Sequence, residues 1–365
     1  MKKYEKKVLI VTNHSYMLWQ FRRELINSLL KKYQVSISTP FVGHEADFAR
    51  IGCNMIQTDL ERRGMNPLHD FKLIGHYKQI LKDEDPDFII TYSIKPNIYM
   101  GALCAKQGIP YSVNIQGLGT AFQNPELRIV VSRMYHHACR KAKCIFFENQ
   151  SNADFFSNKK IIKKDKAVVL PGAGVNLDQY AYTPYMTHDD HKFHFLYLGR
   201  IMREKGITEL FDAAEQLYQT NQTFVLDIAG FYEDEYKQRV EDLVNKGIAH
   251  FYGFQKNPVP FYQQADCVMN PSYHEGMSNV LLEAASIGRV VIATDIPGCR
   301  ESVENGRTGY LVKPKDTASL LHAMETVLSL SEHKLSEMGM DGHLKMENEF
   351  NRYKVVKQVM EACGL

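Results

Sequence analysis

The sequence contains no apolar run that approaches the roughly 18 residues needed to span a bilayer. Its basic start, Met1–Lys7, resembles the head of a signal peptide, but the apolar run that follows, Val8–Val11, is too short for one. We therefore expect this start to be a solvated lead into the first strand. The seven cysteines include no C-x-x-C pair, and their odd number argues against a disulfide framework. Reduced thiols in a cytoplasmic protein are the simplest expectation.

Two classes of cofactor site are also missing from the sequence. No G-x-G-x-x-G follows an apolar run, which counts against a nicotinamide dehydrogenase. The 14 histidines and seven cysteines show no spacing that builds a zinc site. We therefore expect neither a nicotinamide cofactor nor a structural metal.

The composition, with 44% hydrophobic and 24% charged residues, is typical of a soluble globular protein, and 365 residues suffice for two domains. The net charge of +2 is unevenly distributed, since residues 1–185 hold 26 Lys and Arg against 16 Asp and Glu. The remainder is acidic. This asymmetry suggests that the first half faces an anionic partner, such as a membrane surface or a lipid diphosphate. A chance distribution of solvated charges is the alternative.

Short apolar runs alternate with helical periodicity along the whole chain, which predicts parallel sheets with helices on both faces. The first alternation spans 1–182 and the second 183–348, with a last helical stretch in 349–365. The predicted strands of the second part are Phe195–Leu198, Phe224–Ile228, His250–Tyr252, Cys267–Met269, Val290–Thr294 and Gly309–Val312. Its predicted helices are Ile207–Tyr218, Glu235–Lys246, Asn279–Ile287 and Thr317–Leu328. The predicted fold class is α/β, with two doubly wound, Rossmann-like domains.

The stretch from Asn270 to Asp295 is predicted as a strand end, a polar loop, a helix and a strand. Glu275 lies in the loop, and Glu283 lies in the helix that Gly288 ends. The start of this helix follows the carboxyl end of a strand, where free N–H groups and the helix dipole attract an anion. If the helix extended back to Glu275, the two carboxylates would lie within about 80° of each other. A Glu near a helix start can also merely complement the dipole.

A cationic loop follows the predicted strand Phe195–Leu198, with the sequence GRIMREKG at 199–206. Arg200 can bind two phosphate oxygens at once, and Lys205 acts as a point charge. The glycines at both ends allow close backbone approach. Cations, a helix dipole and carboxylates together suit a diphosphate that carries a sugar, whereas surface cations capping a turn are the plainer alternative.

These two motifs resemble the donor-site motifs of retaining glycosyltransferases of the sucrose-synthase-like family (group 1), and the resemblance covers nearly the whole chain. It implies the GT-B fold, in which two Rossmann-like domains face each other across a cleft and the last helix, here in 349–365, packs back on the N-terminal domain. It also implies transfer of a hexose or N-acetylhexosamine, of the galactose, GalNAc or GlcNAc type, from a UDP-sugar. Neither a metal nor a further cofactor is expected.

The resemblance gives roles to individual residues of the second domain. Arg200, Lys205 and Glu275 are the catalytic candidates: the cations stabilise the leaving phosphate, and Glu275 holds sugar hydroxyls beside the anomeric carbon. Glu283 is expected to accept hydrogen bonds from the ribose hydroxyls. The other donor-binding candidates are Gly199, Gly230, Phe254, Gly276, Met277, Ser278 and Asn279. Ordinary strand-end turns are the alternative for Gly230 and Phe254.

Two loops of the first domain, 92–99 and 114–122, resemble a branch of the family that builds capsules, exopolysaccharides and glycans on undecaprenyl diphosphate. The loop at 13–15 lacks the glycine-rich motif of many members, and Gln116 stands where many relatives carry a histidine near the reacting sugar. The acceptor-binding candidates are Asn13, His14, Lys95, Asn97, Gln116 and Gly117. His14 and Gln116 could equally serve as a cap and a loop-fixing amide.

The string Asp85-Pro86-Asp87 matches the D-x-D pattern that binds a divalent ion in the other glycosyltransferase fold. It precedes the predicted strand Phe88–Tyr92, whereas sites in open α/β sheets lie beyond the carboxyl ends of strands. We therefore predict a helix-to-strand turn and no metal here.

Three functions fit the sequence. The first is a metal-independent retaining hexosyltransferase, peripheral on the inner face of the membrane, that uses a lipid-linked saccharide acceptor. The second is a UDP-sugar epimerase of the same fold, which would convert its donor without an acceptor. The third is a non-catalytic protein that binds nucleotide sugars.

Overall fold

The computed structural model describes residues 6–60, 67–119, 122 and 124–365. The first residues of the basic start, and Thr120 and Ala121 of the loop 114–122, lie outside this part of the chain. The described residues form two compact units. One contains the chain up to Ala173 together with Tyr353–Leu365, and the other is Gly174–Arg352.

The first unit is an all-parallel α/β sheet. Its strands are β1 (Lys7–Val11), β2 (Gln34–Thr39), β3 (Asn54–Gln57), β4 (Phe88–Tyr92), β5 (Tyr111–Ile115), β6 (Cys144–Phe147) and β7 (Ala167–Val169). Its helices are α1 (Ser15–Leu29), α2 (Glu45–Ile51), α3 (Pro67–Glu84), α4 (Ile94–Gln107), α5 (Pro125–Cys139) and α6 (Gln150–Asn158). The strand order is β3-β2-β1-β4-β5-β6-β7.

Helices cover both faces of this sheet, which is why its central strands are continuous apolar runs. One core contains side chains of α3, α4, α5 and α6, and the other contains side chains of α1 and α2. Because each helix connects parallel strands, it runs back against them and begins at the carboxyl edge of the sheet. Asn13, Lys95 at the start of α4, and Gln116 therefore share one edge.

The second unit repeats the same architecture. Its strands are β8 (Phe193–Leu198), β9 (Phe224–Ala229), β10 (Ala249–Gly253), β11 (Cys267–Asn270), β12 (Val290–Thr294) and β13 (Gly309–Val312). Its helices are α7 (Ile207–Thr220), α8 (Lys237–Asn245), α9 (Val259–Gln264), α10 (Asn279–Ile287), α11 (Thr317–Leu328) and α12 (Glu332–Glu349). The parallel sheet has the order β10-β9-β8-β11-β12-β13.

The structure divides the chain at 173/174 and 352/353, not at 182/183 and 348/349 as we expected. The reason is that residues 174–182 pack in the second unit. Val175 N donates to Phe350 O at 2.8 Å, and the Tyr180 ring is 3% exposed and lies 6.0 Å from that of Tyr262. A polar composition after position 183 was therefore a poor marker of the boundary.

The last helix, α13 (Arg352–Cys363), belongs almost wholly to the first unit. Val355, Val356 and Val359 are 5–9% exposed and pack in the core that contains α1 and β1. Among the described residues, no helix combines the length and the apolar character that crossing a membrane would require.

Candidate active site

Three loops meet at the carboxyl edge of the second unit's sheet: 199–206 after β8, 230–236 after β9 and 271–278 after β11. Gly199 N donates to Ala229 O at 3.0 Å, which joins the first loop to the end of β9. Tyr273 N donates to Glu204 O at 2.9 Å, which joins the first loop to the third. Backbone hydrogen bonds thus bring together two motifs that are 70 residues apart in sequence.

Two glycines make this close approach possible. A Cβ atom at Gly230 would lie 1.8 Å from Gly199 O, and one at Gly206 would lie 2.0 Å from Pro271 O. Gly206 also has a φ of 69°, which is unfavourable for residues with a side chain. Gly199 and Gly230 therefore lie side by side.

Lys205 and Glu275 form a close, largely buried ion pair in the site. Lys205 Nζ lies 2.6 Å from Glu275 Oε1, and their side chains are only 21% and 15% exposed. Lys205 is the last residue of a short 3-10 turn, Arg203–Lys205, just before α7. This turn fixes the point at which the Lys205 side chain leaves the backbone. The ammonium and the carboxylate thus lie side by side, where the first could contact a phosphate and the second a sugar.

Arg200 is more open than Lys205. Its Nη1 donates to Glu233 Oε2 at 2.8 Å, and the two side chains are 41% and 25% exposed. The Arg200 carbonyl accepts a hydrogen bond of 2.6 Å from Tyr197 Oη, which fixes the backbone beneath the guanidinium. Glu233 was not among our sequence candidates, although it follows β9 at the same edge.

The first turn of α10 carries polar groups that could bind a polar ligand. Ser278 is its N-cap and accepts from Leu281 N at 3.4 Å, while Asn270 Nδ2 donates to the Ser278 hydroxyl. Asn279 Oδ1 is buried, and within the described residues it has no hydrogen-bond partner. Buried polar atoms are nearly always paired, so this oxygen is suited to accept from a ligand hydroxyl. Met277 is 6% exposed and packs in the core, so only its backbone could reach a ligand.

Glu275 and Glu283 do not share a helical face, because α10 begins only at Asn279 and Glu275 lies in the preceding loop with Gly276. Glu283 is 7% exposed and accepts a hydrogen bond of 2.8 Å from Tyr262 Oη. Burial raises its pKa to about 7, although hydrogen bonds from Tyr262 and Tyr180 act in the opposite direction. In this structure its carboxyl group therefore joins α10 to α9, and Tyr262 is a partner that our sequence reasoning missed.

Phe254 follows β10 and keeps 52% of its surface exposed. Its ring lies 6.1 Å from that of Phe231, which follows Gly230 and is 43% exposed. Two exposed aromatic rings at the sheet edge can provide a stacking surface for a planar base. Phe231 is a second aromatic candidate that our motif-based reasoning did not include.

The acceptor candidates of the first unit lie around the ends of β1, β4 and β5. Ser93 has the strained backbone angles φ 74° and ψ 157°, and its hydroxyl donates to Asn13 Oδ1 at 2.6 Å. Such strain costs about 1–3 kcal/mol and is often found at functional sites. Lys95 Nζ donates to Asp70 Oδ1 at 2.7 Å, so this cation already has a carboxylate partner on α3.

The remaining acceptor candidates contact neighbouring parts of the first unit in ways that fit a structural role. Asn97 is 1% exposed; it accepts from Thr91 Oγ1 at 2.7 Å and donates to Asn114 O at 2.8 Å, so its amide fixes the ends of β4 and β5. Gln116 Nε2 lies 3.6 Å from Met17 Sδ, and Gly117 is half-buried beside it. His14 is the N-cap residue of α1, with its ring 6.2 Å from that of Tyr16.

The string Asp85-Pro86-Asp87 forms the turn between α3 and β4, at the amino end of the strand. Asp87 Oδ2 accepts from Lys7 N at 2.8 Å, which is a structural role. Within the described residues, no group of three or more His, Cys, Asp or Glu side chains has an arrangement that could hold a metal ion.

Both halves of the chain match models of known protein families. Residues 7–149 match the family described as glycosyl transferase 4-like, and residues 192–330 match glycosyl transferases group 1.

Proteins of similar sequence and structure agree with these matches. An N,N'-diacetylbacillosaminyl-diphospho-undecaprenol alpha-1,3-N-acetylgalactosaminyltransferase of Campylobacter jejuni is 27% identical over 338 residues, which cover 87% of this chain and 88% of that protein. A UDP-Gal:alpha-D-GlcNAc-diphosphoundecaprenol alpha-1,3-galactosyltransferase of Escherichia coli is 25% identical, with 82% and 80% covered. HepE of Anabaena, solved in complex with UDP-glucose, superimposes with a TM-score of 0.80 at 16% identity and covers 98% of this chain and 99% of its own. The chain therefore belongs to the group 1 glycosyltransferases and has the GT-B fold.

Proposed function

We propose that this glycosyltransferase moves a hexose or N-acetylhexosamine from a UDP-sugar to a saccharide linked to undecaprenyl diphosphate. The C. jejuni and E. coli relatives are named for transfer to such lipid-linked sugars, and the E. coli relative is named for a UDP-sugar donor. HepE, which shares the fold, was solved with UDP-glucose. The reaction would serve the assembly of a surface polysaccharide or glycan, at the inner face of the membrane.

The observation that carries the proposal is the joining of Lys205, Arg200 and the start of α10 by backbone contacts between their loops. Departure of UDP builds negative charge on its β-phosphate. Fixed cations and helix N–H groups stabilise that charge, and each such contact contributes about 2–4 kcal/mol. Arg200 and Lys205 supply the cations, and Gly276, Met277 and Ser278 supply backbone N–H groups for the phosphate and the sugar hydroxyls.

Glu275 has a separate role in this proposal. Its carboxylate is held 2.6 Å from Lys205 Nζ, the cation that we assign to the leaving phosphate. There it would bind sugar hydroxyls and balance the positive charge that grows at the anomeric carbon. Asn279 Oδ1, which has no hydrogen-bond partner within the described residues, would accept from another hydroxyl of the donor.

We further propose that the anomeric configuration is retained and that no metal and no cofactor beyond the UDP-sugar is required. The acceptor hydroxyl would attack on the same face as the departing phosphate, which takes the acceptor proton. This route suits a site with cations and without an evident nucleophile–base pair. On the acceptor side, Asn13 and Lys95 are the residues whose polar atoms lie at the strand ends, next to the strained Ser93.

The test is transfer from each of several UDP-sugars to a synthetic undecaprenyl diphosphate saccharide. Arg200→Ala, Lys205→Ala and Glu275→Ala should each lower kcat by about 10² to 10³. Lys237→Ala and Glu241→Ala, on the exposed face of α8, are the matched controls and should keep full turnover. Full activity of the site variants would refute these roles.

The product and the conditions test the finer claims. Nuclear magnetic resonance of the product should show the donor's anomeric configuration, and a chelator should leave the rate unchanged. Conversion of a UDP-sugar without any acceptor would instead favour an epimerase, and tight UDP binding without turnover would favour a non-catalytic binding protein.

A further inference from the structure

The most exposed large apolar side chains of the described residues are concentrated on two helices of the first unit. Phe71 and Leu68, in the first turns of α3, are 72% and 71% exposed, and Ile129 and Val130, near the start of α5, are both 56% exposed. Isolated exposed apolar residues are common on soluble proteins, but adjacent pairs at matching positions of two helices are not explained in that way. We refer to these two pairs as the apolar tips.

The two tips lie at the same edge of the sheet. Both helices pack on the sheet face that α4 also covers, and both begin at its carboxyl edge. On α3, Asp70 is held by Lys95 Nζ at 2.7 Å and by Tyr99 Oη at 2.8 Å, which fixes that side of the helix against α4. Leu68 and Phe71 are separated from Asp70 by roughly 160° and 100° around the helix, so they face outward.

Basic side chains follow each apolar tip along the outward face of its helix. They are the exposed side chains of Lys72 and Lys82 on α3, of Arg133 on α5 and of Arg140, which caps the end of α5. The acidic residues near these faces are Asp83 and Glu126. On each helix the exposed basic side chains therefore outnumber the exposed acidic ones, and the first half of the sequence, with 26 basic and 16 acidic residues, has the same sign.

We propose that the apolar tips and these four cations form a surface that docks on an anionic lipid bilayer. The tips would enter the boundary between headgroups and acyl chains, and the cations would contact anionic headgroups. An acceptor carried by a lipid would then arrive at the sheet edge that also bears Asn13 and Lys95. The biological purpose of this surface rests on the proposed function, whereas its physical basis does not.

The test is co-sedimentation of the full chain with vesicles of phosphatidylcholine mixed with phosphatidylglycerol, compared with phosphatidylcholine alone. We expect binding to the anionic vesicles that weakens with added salt. Leu68→Ser with Phe71→Ser should lower the vesicle affinity about tenfold or more, because two apolar side chains no longer insert. Lys72→Gln with Lys82→Gln should weaken binding and reduce its salt dependence.

The matched control is Met340→Ser with Leu344→Ser on α12, whose side chains are 39% and 43% exposed in the second unit. It should bind vesicles as the unchanged protein does. Equal binding by the Leu68→Ser/Phe71→Ser variant, or an equal loss in the control, overturns the proposal. A dimer seen in sedimentation velocity that this tip variant abolishes also overturns it, because a second copy would then cover the tips.

The same variants are assayed without vesicles, on a short-chain, water-soluble lipid diphosphate saccharide. Unchanged transfer by the tip variant, together with its loss of vesicle binding, assigns the tips to the lipid surface alone. If the unchanged protein binds anionic vesicles in this manner but transfers no sugar, the surface stands and the proposed function fails.

Discussion

Arg200 and Lys205 differ in how firmly carboxylates hold them. Lys205 and Glu275 are mostly buried and 2.6 Å apart, whereas Arg200 is 41% exposed and pairs with Glu233 at 2.8 Å. A diphosphate must compete with Glu233 for the guanidinium if Arg200 is to bind it. Glu233 should therefore oppose donor binding while it keeps Arg200 in position.

Replacing Glu233 by Gln should strengthen UDP binding. Exposed ion pairs contribute about 0.2–1 kcal/mol, so the Kd for UDP should fall by a factor between about 1.4 and 5. Isothermal titration calorimetry measures this change, and Glu241→Gln on α8 is the control with no expected effect. A higher Kd in Glu233→Gln would instead mean that Glu233 assists binding by holding Arg200 in place.

Glu283 makes a prediction about stability and pH. Burial raises its pKa from 4.5 to about 7, so the folded state binds this proton more tightly than the unfolded state does. Its contribution to stability is therefore greatest below pH 4.5 and is lost as the pH rises from about 4.5 to about 7. The total loss is roughly 3 kcal/mol.

The variant Glu283→Gln carries no titrating proton and can still accept from Tyr262. Denaturant unfolding at several pH values should show that the variant's free energy of unfolding rises relative to that of the unchanged protein between pH 4.5 and 7. Above that range, the difference between the two free energies should be constant. Parallel curves for the two proteins would show that Glu283 titrates at its ordinary value.

Sequence patterns located the main charges of the site but missed two of their partners. The motifs identified Arg200, Lys205, Glu275 and Glu283, and the structure places all four in the second unit. Glu233 and Tyr262 were missed because their contacts depend on which loops lie side by side, and a single sequence does not record that. Glu275 and Glu283 would share a helical face only if the helix extended back to Glu275, and that condition is not met because Ser278 caps the helix after Glu275.

At the scale of elements, buried parallel strands were the most predictable feature. The limits of β12, β13, α10 and α11 were predicted to the residue, because turn residues or caps end each apolar pattern. Helix α12 was missed, because Gly339 and Gly342 lie within it and lower its helix propensity. A Cβ at Gly339 would lie 2.0 Å from Gly288 O, so the glycine serves packing that sequence periodicity does not reveal.

The junction of β8 and β9 gives a prediction at this scale. Gly230→Ala would place a methyl group 1.8 Å from Gly199 O, so the two loops must separate. We expect a loss of UDP binding of at least tenfold, since a shift of about 1 Å at a ligand site can cost 10² in rate. Thermal shift with and without UDP measures this loss.

Gly75→Ala is the matched control for this substitution. Gly75 lies within α3, and a Cβ there would meet no atom within 4 Å. Alanine should stabilise that helix by about 0.5–1 kcal/mol and leave UDP binding unchanged. UDP binding by Gly230→Ala equal to that of the unchanged protein would contradict the role of the close approach.

At the scale of the whole molecule, each unit has its own core, but the units do not follow the order of the chain at its C-terminal end. Helix α13 follows the second unit in sequence and completes the core of the first. The distribution of apolar residues in 353–362 was compatible with this arrangement but did not require it. Only the contacts of Val355, Val356 and Val359 show which core they fill.

This arrangement predicts where damage to the last helix will be felt. Val355→Ala with Val359→Ala removes buried methyl groups from the first unit, which should cost about 1–3 kcal/mol for each valine. Hydrogen exchange should then accelerate in β1, β4 and α1, which share that core, and not in β8 to β13. UDP at about 100 times its Kd should stabilise the second unit by about 2.7 kcal/mol and leave the first unit's exchange unchanged. Val244→Ala on α8, where the side chain is 39% exposed, is the control. Faster exchange confined to the second unit in the double variant would mean that α13 stabilises the unit it follows in sequence.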